Sequence, residues 1–372
     1  VRLAGGPAAV VGVGSTPISR RTEQSLASLA VEAALAAVHD AGIEMSEIDC
    51  YVGSPTAPNK SAAHVDGIDE VSGLFLTHAL GLRPKWSADL FAMPAVAVAA
   101  AAQALVSARL NYALFVRALY NPVDRRYSYA GEAEAYGRDQ FTLPYGAGPG
   151  GTRHALWLAR YLDQHGATRE DLYTLVATQR AHAQLNPAAY WRDVPLSIDD
   201  YMSARWVCEP MCVFDCDLPV TGAVALVLAS PQNAGSHEHA AYVLGYAGGR
   251  RPEAVLDDLR LRPTDVQVCQ LYDGFSPFVW MWLERFGFCE AGTAFRFTRD
   301  GNTQLGGVLP TNTFGGSLGE GRLHGIGHVR EAALQVMGRA GERQVASIDH
   351  SLAVVGVGED AGAIVFGPEP RT

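Results

Sequence analysis

The residues able to do chemistry gather toward the C-terminal end of the chain. Tyr272-Asp273-Gly274-Phe275-Ser276 leads into a helix and sets a phenol beside a carboxylate. Two glycine-rich stretches follow, Leu309 to Gly316 and Gly319 to Gly325, which carry Asn312, Gly315, Gly316, Arg322 and His324. A third glycine turn, Gly356-Val357-Gly358, precedes the last strand. A phenol acts as a base only when its surroundings lower its pKa from about 10. Arg322 is a group that could lower it, but a guanidinium is itself a poor proton donor, so His324 is the better proton carrier. Glycine turns and helix starts aim backbone N–H groups at an oxygen that gains negative charge. Each residue also has a plain structural reading. Tyr272 can anchor a buried hydroxyl, Asp273 can cap its helix, His324 and His328 can bond a carbonyl, and Arg322 can pair with Glu320.

The cysteines point away from a metal. Cys208, Cys212 and Cys216 follow i, i+4, i+8 spacing, but Pro210 and Pro219 argue against a continuous helix and a structural zinc site needs a fourth ligand. Six cysteines in 372 residues do not make a disulfide framework. Free thiols are expected, with Cys269 and Cys289 as small buried hydrophobes.

The elements that must position these groups read as α/β. The strand Ala8 to Val13, the helix around Leu26 to Val38 ended by Gly42, and the strand Ile48 to Gly53 form a βαβ unit. The alanine-rich helix Ala95 to Ala108 has small residues on several faces, which predicts burial between layers, and a strand follows at Tyr112 to Val116. Residues of about 120–215 read as an inserted, mostly helical loop region. The strand Gly222 to Ala229 ends in a polar breaker cluster, which sets the boundary between halves, 1–235 and 236–372. The second half repeats strand, helix, strand, helix: Ala241 to Tyr246, Pro252 to Leu261, Val266 to Leu271 and Phe275 to Phe286. It closes with a helix from Ile326 to Met337 and strands at Gln344 to Ile348 and Ala361 to Phe366. Matching order in the halves suggests a duplication with mostly parallel strands covered by helices.

Composition narrows the class. With 48% apolar and 18% charged residues the chain reads as a packed globular enzyme. A formal charge of −10 and the lack of a basic stripe give no reason to bind nucleic acid. The pairs Arg125-Arg126 and Arg250-Arg251 could meet an anionic ligand but read first as solvated surface pairs. Val1 to Pro7 lack the order of a signal peptide, and the apolar run Ala92 to Leu105 is too short to span a bilayer. A soluble, cytoplasmic protein with no membrane contact is expected.

Taken in order, the motifs resemble those of the thiolase superfamily over essentially the whole chain. Tyr272-Asp273-Gly274-Phe275-Ser276 is similar to the segment where thiolases hold a side chain near the thioester oxygen. Asn312 with Gly315-Gly316, followed by Gly321-Arg322-Leu323, resembles the Asn-x-x-Gly-Gly and Gly-His-Pro segments. Gly356 and Gly358 resemble the glycines after the second thiolase cysteine. Arg160-Tyr161, His165-Gly166 and Asn186-Pro187 resemble the loop region of the lipid-transfer-protein branch. The resemblance implies a duplicated, layered αβαβα fold with an inserted loop region, and a substrate pocket lined by Phe91, Met93, Asn312, Gly315, Gly316, Gly356 and Gly358.

The departures from the pattern restrict the chemistry. Counting back from Gln103-Ala104-Leu105 puts Phe91 at the nucleophile position, Val354-Val355 stand where the second cysteine would be, and Arg322 stands at the histidine. Covalent acyl transfer needs an activated nucleophile, and none is present at these positions. A pocket that holds an enolate without a nucleophile suits C–C cleavage, and the chain is similar to steroid side-chain aldolases of the lipid-transfer branch. The resemblance implies retro-aldol cleavage of a β-hydroxyacyl-CoA to a ketone and a shorter acyl-CoA such as propionyl-CoA. Tyr272 matches the group's hydroxyl base, with Arg322 where a second tyrosine sits; His324 and Asp273 complete the catalytic candidates. It implies a small OB-fold zinc-ribbon partner, a homodimer within a heterotetramer, and no cofactor beyond the coenzyme A of the substrate. Two other functions fit: a non-catalytic acyl-CoA-binding subunit, or a cysteine-independent C–C bond-forming acyltransferase.

Overall fold

The computed structural model describes residues 6–55, 65–91, 93–121, 137–147 and 151–370. In the first half, strands β1 (Ala9–Ser15), β2 (Ile48–Gly53), β3 (Trp86–Asp89) and β4 (Tyr112–Leu119) alternate with helices α1 (Leu26–Asp40), α2 (Gly73–Ala79) and α3 (Pro94–Ser107). Then comes the insertion, with α4 (Gly151–His165), α5 (Arg169–Gln184), α6 (Ile198–Met202) and a hairpin of β5 (Trp206–Cys208) and β6 (Met211–Cys212). Strand β7 (Gly222–Ala229) and the short α7 (Pro231–Ala234) close this half. The second half runs β8 (Ala241–Gly248), α8 (Ala254–Leu259), β9 (Val268–Leu271), α9 (Pro277–Arg285), α10 (Ala294–Arg299), α11 (Gly316–Gly319) and α12 (Ile326–Val336). It ends with β10 (Ser351–Val355) and β11 (Gly362–Gly367).

Strand order shows the duplication. The main sheet among the described residues runs β3-β2-β4-β7-β1-β8-β11-β10-β9. Outward from its middle, β1/β7 and β7/β4 are antiparallel and β4/β2 parallel; on the other side β8/β11 and β11/β10 are antiparallel and β10/β9 parallel. Within the main sheet the described halves pair through β1 and β8, where Ala9 faces Tyr242 and Val10 faces Ala241.

Helix α3 touches β2 and β4 of the first half and β8 and β11 of the second, so it lies between the two. Alanine and valine make this possible, since Ala97, Val98, Ala101, Ala102 and Leu105 are all buried and small side chains let backbone layers approach. Helix α12 runs beside α3 and covers β9 and β10, while α1 covers β1, β4 and β7 and α8 covers β8 and β11. The result is the layered α/β arrangement expected from the sequence, but the main sheet is mixed and not mostly parallel, with five antiparallel and three parallel pairings among its described strands.

Some elements differ from the expectation. Gln344 to Ile348 is not a strand, because the Gln335 side chain accepts from the Val345 N–H at 2.9 Å and Ser347 turns to a φ of 56°. The strand there is β10, three residues later. The cysteines at 208, 212 and 216 belong to the hairpin and the turn after it, and no cluster among the described residues could hold a metal ion. Arg250 pairs with Glu359 on the surface, while Arg125 and Arg126 lie outside the described residues. No helix among the described residues is long and apolar enough to cross a membrane.

Candidate active site

The parallel strands of both halves end on the groups of interest, as is usual for ligand sites of α/β sheets. Tyr272 follows β9 directly, and its backbone N–H donates to the Val354 carbonyl at 2.9 Å. Its ring stacks on Phe278 and leans on His328, with centroids 6.3 and 5.8 Å away. The hydroxyl folds back over Gly274, where any Cβ would stand 2.9 Å from the phenolic oxygen, so only glycine leaves room.

Arg322 meets Tyr272 from the turn between α11 and α12. Its backbone N–H donates to Leu218 at 2.7 Å, which brings the segment before β7 alongside. From that segment Asp217 accepts the Arg322 Nε–H at 3.0 Å, with both side chains almost wholly buried. The guanidinium also lies close enough to Tyr272 to favour its ionised form. Burial pushes the Tyr272 pKa up, to about 12, against the opposing pull of Arg322. The resting group is therefore a phenol, and its ionised form rests on that guanidinium.

The first half supplies a second cation. Arg117, near the end of β4, is 1% exposed. It donates to the Ser54 carbonyl at 3.1 Å, to the Ser54 hydroxyl and to Nδ1 of His324. Burial and the nearby Arg322 draw its pKa down to about 9, opposed by Tyr272, and it remains charged at neutral pH. His324 is held well below the usual imidazole pKa, first by burial and then by Arg322 and Arg117. The ring is neutral at neutral pH, and the bond it makes is to Arg117 through Nδ1.

Two other catalytic or binding candidates are tied up in structure. Asp273 is wholly buried and accepts from the N–H groups of Ser317 and Leu318, at 2.8 and 3.2 Å, and from His328 Nε2 at 2.9 Å. It caps α11 and not its own helix, and it fixes the glycine turn. Gly316 makes this approach possible, because a Cβ there would lie 2.1 Å from the Asp273 carboxylate. Asn312 spends its amide on Leu271, accepting from the N–H at 2.7 Å and donating to the carbonyl at 2.8 Å. It locks the turn to β9 with one N–H and one oxygen lone pair of the amide. Glu320 pairs with Arg330, not with Arg322.

The remaining candidates divide. Gly315 packs on Ala183 of α5, and Gly356 packs on Met93, the residue that caps α3, while Gly358 begins the turn after β10. Phe91 is 77% exposed and stands apart from this packing, so Met93 and not Phe91 meets the last glycine turn. The structure thus brings together Tyr272, Arg322 and His324 and adds Arg117, Asp217 and Ser54. A signal for Arg117 was present, a single charge in the apolar run Tyr112 to Leu119. Ser54 and Asp217 carry no such mark.

Residues 252–367 match the thiolase C-terminal domain-like family. The chain is 32% identical to a steroid side-chain-cleaving aldolase of Thermomonospora curvata, over 98% of both chains. It is also 32% identical to a 17-hydroxy-3-oxo-4-pregnene-20-carboxyl-CoA lyase of Mycobacterium tuberculosis, over 97% of this chain and 99% of that one. Among solved structures it resembles the Ltp2-ChsH2(DUF35) aldolase, with a TM-score of 0.85 and 28% identity over 98% of both chains.

Proposed function

The chain belongs to the steroid side-chain-cleaving aldolases of the thiolase superfamily, and on that premise we propose that it splits a steroid β-hydroxyacyl-CoA through Tyr272. The products are a ketone and a shorter acyl-CoA. The observation that carries this reading is the buried Tyr272 phenol beside the Arg322 guanidinium, which Asp217 holds in turn.

The chemistry follows from proton balance. The fraction of Tyr272 that has lost its proton to solvent takes the proton of the β-hydroxyl, the C–O bond becomes a carbonyl, and the Cα–Cβ bond breaks with its electrons moving to the thioester oxygen. The phenol that has just formed is then the acid at hand to protonate Cα, so one residue serves both steps. Arg322 and Arg117 bring two positive charges to a place where the phenolate and then the enolate carry negative charge. No acyl group is attached to the protein at any point.

A second protein as partner is supported by the joint name of the Ltp2-ChsH2(DUF35) aldolase. We take it to be a small OB-fold protein with a zinc ribbon. Pairing of two copies of this chain is supported by the edge strand β3, beside which Leu74 is 83% exposed and Phe91 77% exposed.

One experiment tests the reading. The chain and its partner, with their stoichiometry read by sedimentation, are given a steroid acyl-CoA bearing a β-hydroxyl, and the ketone and shortened acyl-CoA are measured. Tyr272→Phe is expected to lower turnover by about 10²–10⁴-fold while substrate affinity persists. Tight binding without cleavage by the unaltered protein would sink the aldolase reading in favour of a binding subunit.

A further inference from the structure

Buried arginines usually face a carboxylate, since an unpaired charge is costly in the interior. Among the described residues Arg117 faces none; its guanidinium donates to Ser54 and to Nδ1 of His324. An arginine has donors and no acceptor. Nδ1 must therefore be the accepting nitrogen, and the ring proton sits on Nε2.

The position of His324 gives that proton a use. It is partly exposed while Gly321, Arg322, Leu323 and Gly325 around it are buried. Its backbone is held in the left-handed region at a φ of 52°, which costs a histidine energy and persists only where the surroundings enforce it. No described residue accepts from Nε2. We propose that Arg117 is a positioning residue for the cleavage, holding His324 in the Nε2–H tautomer so that this N–H meets the thioester oxygen as it becomes an enolate oxygen. The inference rests on the aldolase reading above.

In this role His324 keeps its proton throughout and supplies a fixed dipole. Such a donor gains strength where water is excluded, because nothing must reorient as charge develops. Burial and the two arginines keep the ring from charging at neutral pH, in agreement with the tautomer fixed by geometry. Arg117 itself touches no reacting atom. Beyond the charge it adds, its effect passes through the imidazole.

The test reads the tautomer without relying on activity. The chain with its partner is labelled with ¹⁵N-histidine, long-range ¹H–¹⁵N correlations are recorded at neutral pH, and the His324 signal is identified by its loss in His324→Gln. The expected result is a bare Nδ1 and a protonated Nε2. In Arg117→Gln the two tautomers should mix and kcat should fall about 10²-fold, with KM within a few-fold of the parent. Arg117→Lys, which keeps the cation and a donor, should restore the tautomer and part of kcat. A protonated Nδ1 in the unaltered protein overturns the inference even if Arg117→Gln fails to fold, and so does an Arg117→Gln protein with parental kcat. Cleavage by the unaltered protein with Nδ1 protonated leaves the aldolase reading standing and removes only this inference. The expected tautomer without any cleavage removes both.

Discussion

Helices α3 and α12 hold matching places in the two halves, each leading into the strand that pairs in parallel with its neighbour, yet they are opposite in chemistry. Helix α3 carries no ionisable side chain and buries alanine against both halves. Helix α12 buries His328, Arg330, Glu331 and Gln335, each bonded to another part of the chain. The contrast shows where a duplicated fold has kept reactive groups. One central helix has become a spacer, while the other is the anchor for the turn that holds Arg322 and His324.

The largest expected effect breaks the anchor. Glu331 is wholly buried and meets Arg343 through both carboxylate oxygens, at 3.1 Å each, and Thr313 at 2.9 Å. Glu331→Ala leaves the Arg343 guanidinium without its partner and should cost about 3–5 kcal/mol in urea unfolding. A loss under 1 kcal/mol would mean that α12 is held by packing alone, as α3 is. The spacer is probed by volume instead. Ala101→Leu adds bulk where α3 is pressed between layers and should cost about 1–3 kcal/mol.

The smallest effect is one of pH, and it falls on the side of the anchor. Burial lowers the pKa of His154 to about 4 and also lowers those of His182 and His324, while α3 has nothing to titrate. The unfolded chain takes up these protons at about pH 6.5 and the folded chain does not, so stability is full above that pH and falls below it. For His182, buried against the Asn312 carbonyl, the slope is at most about 1.4 kcal/mol per pH unit. Melting curves between pH 5 and 7 should show the decline, and His182→Gln should flatten it. A flat profile in the unaltered protein would contradict the assigned shifts.

Local pattern made much of this architecture readable. The opening strand-helix-strand, the buried alanine helix and the repeated order of the second half all follow from apolar spacing and breakers, and each is present with its ends moved by a few residues. Tyr272 and Arg322 were readable as a pair because their flanking glycine turns are local signals. What pattern could not supply was the partner of each charge. Asp217 and Ser54 reach the site only through the tertiary fold, and nothing near them in sequence marks that, while the lone charge of Arg117 in an apolar strand marks it as unusual without naming its partner. Asn312 and Asp273 show the same limit from the other side, since polar residues beside glycines suit a ligand and a backbone lock equally well, and here each holds a turn. Phe91 leaves the strand end toward solvent, a direction that counting residues does not fix.

In the sheet the two halves pair along one short seam, Ala9 and Val10 against Tyr242 and Ala241, yet the hydrogen bond that orients the imidazole links residues 207 positions apart. Catalytic competence is thus a property of late assembly. A chain released after residue 235 would hold a guanidinium with nothing to aim, its complement an imidazole free to flip, and a refolding protein should recover its helices well before its turnover.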